Sequence, residues 1–424
     1  MLAPLPPSAL ETGAAAFLAR YEGLKGRLPG DPTARERAAT IFRDRGLPGL
    51  REEAWKYTNL RPLAEVEFHG SLTAVSDFAG LLARVPAIDA PRLVFVDGRF
   101  REDLSQPPAK CDVRVGGPAF AGLARPESER IVALNTMLAE DGAKISVAAG
   151  VDAGTLLLVS LGLDANGRAV AFHSRHSVRL AAGAALTLIE ISVGEGVYLN
   201  NPVFEVSVGD GARLTHLRLQ DEALRAFHLS TLYADVAAGG TYDSFALNLG
   251  ARLARMEVHA RLVGEGAVAH LNAAQLLAGS QHGDFTTVVL HQAPGCTSRQ
   301  TVKNVLTGNA RGVFQGKIEV ARGAQKTDGY QMNQALLLSP DAEVNTKPEL
   351  EIYADDVKCS HGATVGELDP DQLFYLLSRG MPKDAAKAML VRAFLTEALD
   401  PITHEAGRAA LEAAVESWWE RQAA

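Results

Sequence analysis

Short stretches of the chain between residues 145 and 330 alternate apolar and polar positions with a period of two. Ile189, Ile191 and Val193 alternate with Glu190 and Ser192, and Phe204, Val206 and Val208 with Glu205 and Ser207. That period belongs to β-strands, whose successive side chains leave on opposite faces. A turn-like glycine recurs between these stretches at Gly154, Gly183, Gly211, Gly239, Gly266, Gly295 and Gly323, with separations of 29, 28, 28, 27, 29 and 28 residues. Ala184, Ala212, Ala267 and Ala324 each follow such a glycine, and Val178 to Leu186-Thr187 matches Val206 to Leu214-Thr215. A weaker series, Gly194, Gly250, Gly279 and Gly308, falls about half a period later. Two strands and two turns in ~28 residues describe one coil of a flattened parallel β-helix. A strand of ~10 residues would span ~33 Å. Right-handed winding is expected from the handedness of β-x-β connections. A sandwich or a barrel of hairpins needs no constant period.

Outside this region the period becomes helical. Phe17, Leu18, Tyr21 and Leu24 place a helix in residues 9–28. Asp31-Pro32 opens a second helix that runs to about Asp44 and ends at Gly46. Trp55-Lys56-Tyr57-Thr58 reads as a packed anchor, with a ligand ledge as the alternative. Residues 70–90 read as a short helical piece, 93–98 as a strand and turn, and Arg130–Leu138 as a helix. At the far end Asp369 is suited to an N-cap, Pro370 to the first helical position and Asp371 to the first turn. That helix carries Phe374 and Tyr375 and stops at Gly380. Pro382 opens the next, with Ala386, Met389, Leu390, Ala393, Phe394 and Glu397 at helical spacing. A third helix, 402–422, contains Trp418-Trp419. The pattern therefore divides the chain into an N-terminal helical region (1–90), a mainly β, β-helix core (91–368, regular from about 145) and a C-terminal helical domain (369–424). A solenoid needs covered ends, and the helical termini are the expected caps. The late coils are more polar: Ser298, Gln300, Lys326 and Asp328 are expected in the rows that Leu186 and Leu188 hold earlier. Phe374, Tyr375, Met381, Met389, Leu390 and Phe394 form either a partner-binding face or merely part of the cap.

Composition narrows the function. The 424 residues carry a formal net charge of −8 at pH 7, with 47% hydrophobic and 22% charged residues. This is globular and mildly acidic, with no basic block for nucleic acid. The first ten residues do not read as a signal peptide, and no apolar run is long enough to span a membrane. The three widely spaced cysteines, Cys111, Cys296 and Cys359, form no C-x-x-C and suit a reducing cytoplasm. The densest candidate chemistry is Asp355-Asp356-Val357-Lys358-Cys359-Ser360-His361. Cys359 and His361 are two apart, so on a strand they share a face. Thiolate and imidazole suit iron or zinc, but two ligands do not close a site. Taken alone, such a pair is more often structural. His173, His176, His282 and His291 read as surface or strand histidines, and Gly308 to Gly312 as a turn. No catalytic set is recognisable.

These residues resemble the SufB/SufD proteins of iron–sulfur cluster assembly, on the SufD side of the family. The resemblance is dense over about 280–400. It rests on Lys303-Asn304, Gly312 to Ile318, Gln325 to Asp328, Asn345 to Pro348, Cys359 to Gly366, Leu373 to Leu376 and Ser378 to Gly380, with Trp55 to Thr58 at the N-terminal end. It implies a right-handed β-helix between helical regions. It implies a cytoplasmic complex in which the chain pairs with a SufB-like subunit and binds a SufC-like ABC ATPase. Self-pairing as a homodimer in isolation is also expected. The ATPase-binding part of the family corresponds to about 370–400 here. Cys359 and His361 match a Cys-x-His that faces SufB, so iron or a nascent cluster would bind there transiently, with no permanent cofactor. The resemblance implies a scaffold rather than an enzyme. SufB carries a Cys shortly after the run that corresponds to Gly329-Tyr330-Gln331-Met332, where this chain continues with Asn333. A SufB-type cluster-building subunit is therefore the second reading. A β-helix enzyme acting on polysaccharides is the third, and the free thiols and few aromatics weigh against it.

Overall fold

The computed structural model describes residues 8–70 and 78–423. Part of the expected helical piece at 70–90 thus lies outside the described residues, and its remainder is one turn at Ala79–Leu82. The strands of the coils alternate between two long sheets, and each pairs in parallel with the one a full coil away. The regular coils run from Arg175–Leu180 and Ala185–Glu195 to Glu343–Ile352 and Lys358–Gly366. This is the flattened, two-strand-per-coil parallel β-helix that the glycine spacing predicts. Six of the seven repeat glycines hold positive φ between 60° and 71°, the left-handed turn that a Cβ disfavours. Gly323 does not; in that last turn Lys326 takes φ 63° instead. Gly194 and Gly250 are needed for a different reason. A Cβ on Gly250 would lie 2.3 Å from the Glu222 backbone nitrogen, and one on Gly194 2.1 Å from Tyr198 Oη.

The lumen is filled by stacked rows. Phe204, Val206 and Val208 point inward, as do Leu186 and Leu188. Ile189, Ile191 and Val193 point outward from their sheet, into a second core shared with the C-terminal helices. Glu190, between them, is therefore inside. It is held there by Arg218 Nε at 2.8 Å and His216 Nε2 at 3.3 Å, and Arg218 Nη2 donates to Ser230 Oγ at 2.5 Å. Nearby positive charge holds the Glu190 carboxyl well below its usual range despite burial, and burial lowers the pKa of His216. His176 stacks on Phe204 with ring centroids 4.8 Å apart. His173, His176 and His291 are buried; His176 and His291 lie on strands, one of the two readings the sequence allows, and His173 lies just before a strand.

Helix α1 (Ala9–Leu24) begins on a Ser8–Glu11 capping box, and α2 (Pro32–Arg45) lies between the Asp31 N-cap and Gly46. With the single-turn α3 (Arg61–Ala64), they pack outside the sheet that contains Phe227 and Leu253. After α4 (Ala79–Leu82), α5 (Arg130–Leu138) joins the same layer. Its last carbonyls accept from the buried Arg35 guanidinium. Trp55 lies beneath Arg255, 4.2 Å from ring centroid to guanidinium, and Thr58 Oγ1 donates to Asp284. Gln315 Nε2 donates to the Ala54 carbonyl at 3.1 Å. The Trp55–Thr58 segment is thus a packed anchor.

Helices α6 (Pro370–Ser378), α7 (Lys383–Leu399) and α8 (Glu405–Ala423) follow the last strand. The expectation that they cap the stack is corrected. α7 and α8 run back along the outer face of the second sheet, burying Val391, Leu395, Leu399, Leu411 and Trp418 against Leu217, Leu247, Leu276 and Val305. That face is apolar as well as the lumen, and it had to be covered laterally. The last coil therefore stays open.

Candidate functional site

The open end is made by two edge strands. Glu343–Ile352 and Lys358–Gly366 each pair on one side only, with Arg311–Val320 and Asp328–Leu337 respectively. Every residue of both strands is at least partly exposed. Parallel stacking carries the interior rows to this mouth. Leu188, His216 and Ser244 are register partners in one row, and Gln300, Gln331 and His361 end that row. Ser298, Gly329 and Cys359 end the adjacent one. Ser298 and Gln300 thus occupy inward rows as expected. Lys326 and Asp328 do not: Lys326 lies in the turn, and Gly329 and Gln331 take the inward positions.

Cys359 and His361 face the lumen at its rim from the same side of one strand. Cys359 is half-buried against the interior core, and His361 is exposed. Burial raises the Cys359 thiol pKa, and the Asp328 carboxylate adds to the rise. The free thiol is therefore protonated near neutrality, and a cation is needed to draw out the thiolate. Among the described residues no third His, Cys, Asp or Glu converges on the pair to complete a metal set. An open cavity of about 430 Å³ beside it is lined by Arg299, Asp328, Tyr330, Lys358, Cys359 and Ser360. Directly below His361 in register, Gln331 is fully buried, and neither its amide nitrogen nor its oxygen has a hydrogen-bond partner. A Cβ on Gly316, in the facing sheet, would lie 2.9 Å from Gln331 Oε1, so this amide reaches across the lumen one layer beneath the ligand pair. Sequence reasoning did not single out Gln331. The signal was its place one coil before His361 at the same inward parity.

The second predicted face is divided by the structure. Phe374 is 71%, Tyr375 57% and Met389 49% exposed. No residue of α6 is buried. Met381 and Leu390 are half-buried. Phe394 points the other way, packing on the core of the second sheet with Lys303 Nζ 4.6 Å from its ring centroid. Its ring is partly buried within the chain rather than standing free. α6 carries a short apolar stripe with little of its own chain beneath it.

Among the described residues no helix is long and apolar enough to cross a membrane. Residues 163–394 match the family model for the SUF system FeS cluster assembly SufBD core domain. The chain is 36% identical over 382 residues to iron–sulfur cluster assembly protein SufD of Escherichia coli, covering 87% of this chain and 89% of that protein. It is 32% identical over 394 residues to an iron–sulfur cluster assembly SufBD family protein of Synechocystis, covering 87% and 86%. A chloroplastic Arabidopsis protein, ABCI7, is 35% identical over 227 residues, covering 53% of this chain and 48% of its own length. The stacked coils, the polar late rows and these matches agree: the chain belongs to the SufBD family of iron–sulfur cluster assembly proteins.

Proposed function

We propose that the chain is the SufD-type scaffold subunit of a cytoplasmic SufBCD-type assembly complex. It pairs through its open end with a SufB-like subunit. It binds a SufC-like ABC ATPase through the exposed face of α6 and the start of α7, which carries Phe374, Tyr375 and Met389. ATP hydrolysis belongs to that partner, and this chain is not itself an enzyme. Cys359 and His361 are two ligands of an incomplete set, offered to iron or a nascent cluster that is cargo rather than a resident cofactor. The observation that carries the reading is one arrangement. Among the described residues the longest unpaired strand edges and the one inward Cys-x-His pair meet at the same mouth. Exposed edges are templates for another chain, and a site with two ligands needs a partner to supply the rest. In isolation a second copy offers the same edges, so a homodimer is the expected resting form.

Co-expression with candidate SufB-like and SufC-like proteins tests this. The expected product is a complex of all three chains that acquires iron and sulfide. His361→Ala should lower the iron and sulfide content while complex mass and melting temperature stay nearly unchanged. Cys359→Ala should act in the same direction with a smaller effect, because the partner can supply thiolate. Undiminished cluster content in the His361→Ala complex would defeat the ligand role.

A further inference from the structure

A second group of ligating side chains lies on the outer face of the other sheet, under the N-terminal helical layer. Tyr233 and His259 are register partners on neighbouring parallel strands, Phe227–Val236 and Leu253–Leu262. Their rings stack with centroids 4.8 Å apart and planes 10° from parallel. Glu257 lies two residues before His259 and so shares its face; its Oε1 is 3.0 Å from His259 Nε2. Glu129 comes down from the helical layer, as the residue that precedes α5, and its side chain caps nothing. One ligand atom each from Glu129, Glu257 and His259 lies within 4.8 Å of the others.

Two further observations point to an occupant. Tyr233 is only 6% exposed, yet its hydroxyl has no hydrogen-bond partner. The carboxylates of Glu129 and Glu257 act on that hydroxyl, which also lies near the Arg125 backbone, so the phenol neighbours two of the three ligands. The ion pairs around the group leave one of its carboxylates out. Arg255 is shared between Glu257, at 2.9 Å from Nη2, and Asp284, at 2.5 Å from Nη1. Among the described residues Glu129 enters no ion pair of its own. Buried charge is costly unless paired or metal-bound.

We propose that Glu129, Glu257 and His259 bind a divalent first-row transition ion, with the Tyr233 hydroxyl or water completing its shell. Two carboxylates and one imidazole suit Mn²⁺, Fe²⁺ or Zn²⁺ and give no soft sulfur ligand. Bonds of ~2.1 Å place neighbouring ligand atoms ~3 Å apart. The Glu257–His259 pair already has that spacing, and the Glu129 carboxylate, within 4.8 Å, would have to move in to join it. The ion would staple α5, and the helical layer with it, to the β-helix. The strand that holds His259 is three strands in from the open edge, ~14 Å along the sheet, so this site and the Cys359–His361 pair stand or fall separately.

The test uses the full chain with Cys359→Ala and His361→Ala, which removes the ligands at the mouth. Equilibrium dialysis against Zn²⁺, and anaerobically against Fe²⁺, should give one ion per chain. Co²⁺ should give a visible d–d spectrum without a thiolate charge-transfer band. Glu129→Gln and His259→Gln should each weaken binding by at least about tenfold and abolish the rise in melting temperature caused by Zn²⁺. Glu129 is half-buried and outside any ion pair, so Glu129→Gln is the variant expected to fold normally; circular dichroism checks it. No saturable uptake by the parent chain, or equal affinity in the folded Glu129→Gln chain, would overturn the site.

Discussion

The two ends of the β-helix are built in opposite ways. At the N-terminal end one sheet stops in the two-residue strand Arg99–Phe100 and the other in the three-residue strand Asp112–Arg114, and both pair antiparallel. Short, reversed edges offer almost nothing to a further parallel strand. At the C-terminal end the last strands keep ten and nine residues, parallel and in register with the coil beneath. Both interiors hold buried polar atoms without a partner, Arg218 Nη1 among them. Toward the N-terminal end Glu190, Arg218, His216 and Tyr242 nevertheless form a continuous chain of contacts. Near the other end Gln331 is buried with its amide unmet. One end closes off its strand edges within the chain, and the other leaves two long edges unpaired.

The largest expected effect tests the finished end. Glu190→Ala would strand the Arg218 guanidinium inside the lumen, and breaking a buried pair by removing one partner costs ~3–5 kcal/mol. Denaturant unfolding of the isolated chain should register that loss. A change below ~1 kcal/mol would mean that water or relaxation satisfies Arg218, and the contrast between the ends would weaken.

The next largest effect belongs to the open end. Val365 is 55% exposed and lies on the last strand. Val365→Pro removes a backbone donor and stiffens the edge. Association with a SufB-like subunit, or with a second copy, should fall by about 100-fold, equivalent to ~2.7 kcal/mol. The melting temperature of the monomer should hardly move. Light scattering after size exclusion reads both, and undiminished assembly would place the interface elsewhere.

Acid should also distinguish the ends. Burial pushes the pKa of His173 down to about 3, and those of His176 and His291 to about 4. An unfolded histidine titrates near 6.5. Each depressed group therefore contributes stability that is complete above about pH 6.5 and is lost as the pH falls through the window down to its folded value. Between pH 7 and pH 5 that amounts to ~2 kcal/mol per histidine. Two of the three, together with Glu190, lie toward the N-terminal end. Hydrogen exchange at pH 5 should therefore accelerate in Arg175–Leu180 before it does in Arg311–Val320. The reverse order would contradict this distribution of buried charge.

The coils were legible because parallel stacking forces a constant residue count per turn, and glycine marks the left-handed position of each. The helix starts at Asp31 and Asp369 were legible because capping is local. The caps were misread because an apolar stripe says that a helix is covered and not by what. The outward Ile189, Ile191 and Val193, next to inward Leu186 and Leu188, were the sign that this sheet is covered on both faces. Cys359 and His361 were legible as a pair because i, i+2 on a strand fixes a common face. The Glu129–Glu257–His259 group was not, since its members meet only when a helix N-terminus folds over a distant strand.

The smallest effect is the most specific to the open end. Gln331 is fully buried, and its amide has no partner at either atom. Leucine has nearly the same size and no polar atoms. Removing an unsatisfied buried amide in favour of an apolar group should be neutral or stabilising by ~1 kcal/mol in the isolated chain. Glu190→Ala, by contrast, acts on a satisfied group and destabilises. If the amide serves only the fold, Gln331→Leu should leave the complex with a SufB-like subunit unaltered in iron and sulfide. If it meets cargo or water beneath His361, the more stable variant should assemble normally and hold less iron. Stability and cluster content would then move in opposite directions, a signature that simple misfolding does not produce. A destabilised Gln331→Leu chain would instead mean that the amide is already satisfied, and the contrast between the two interiors would fail at this residue.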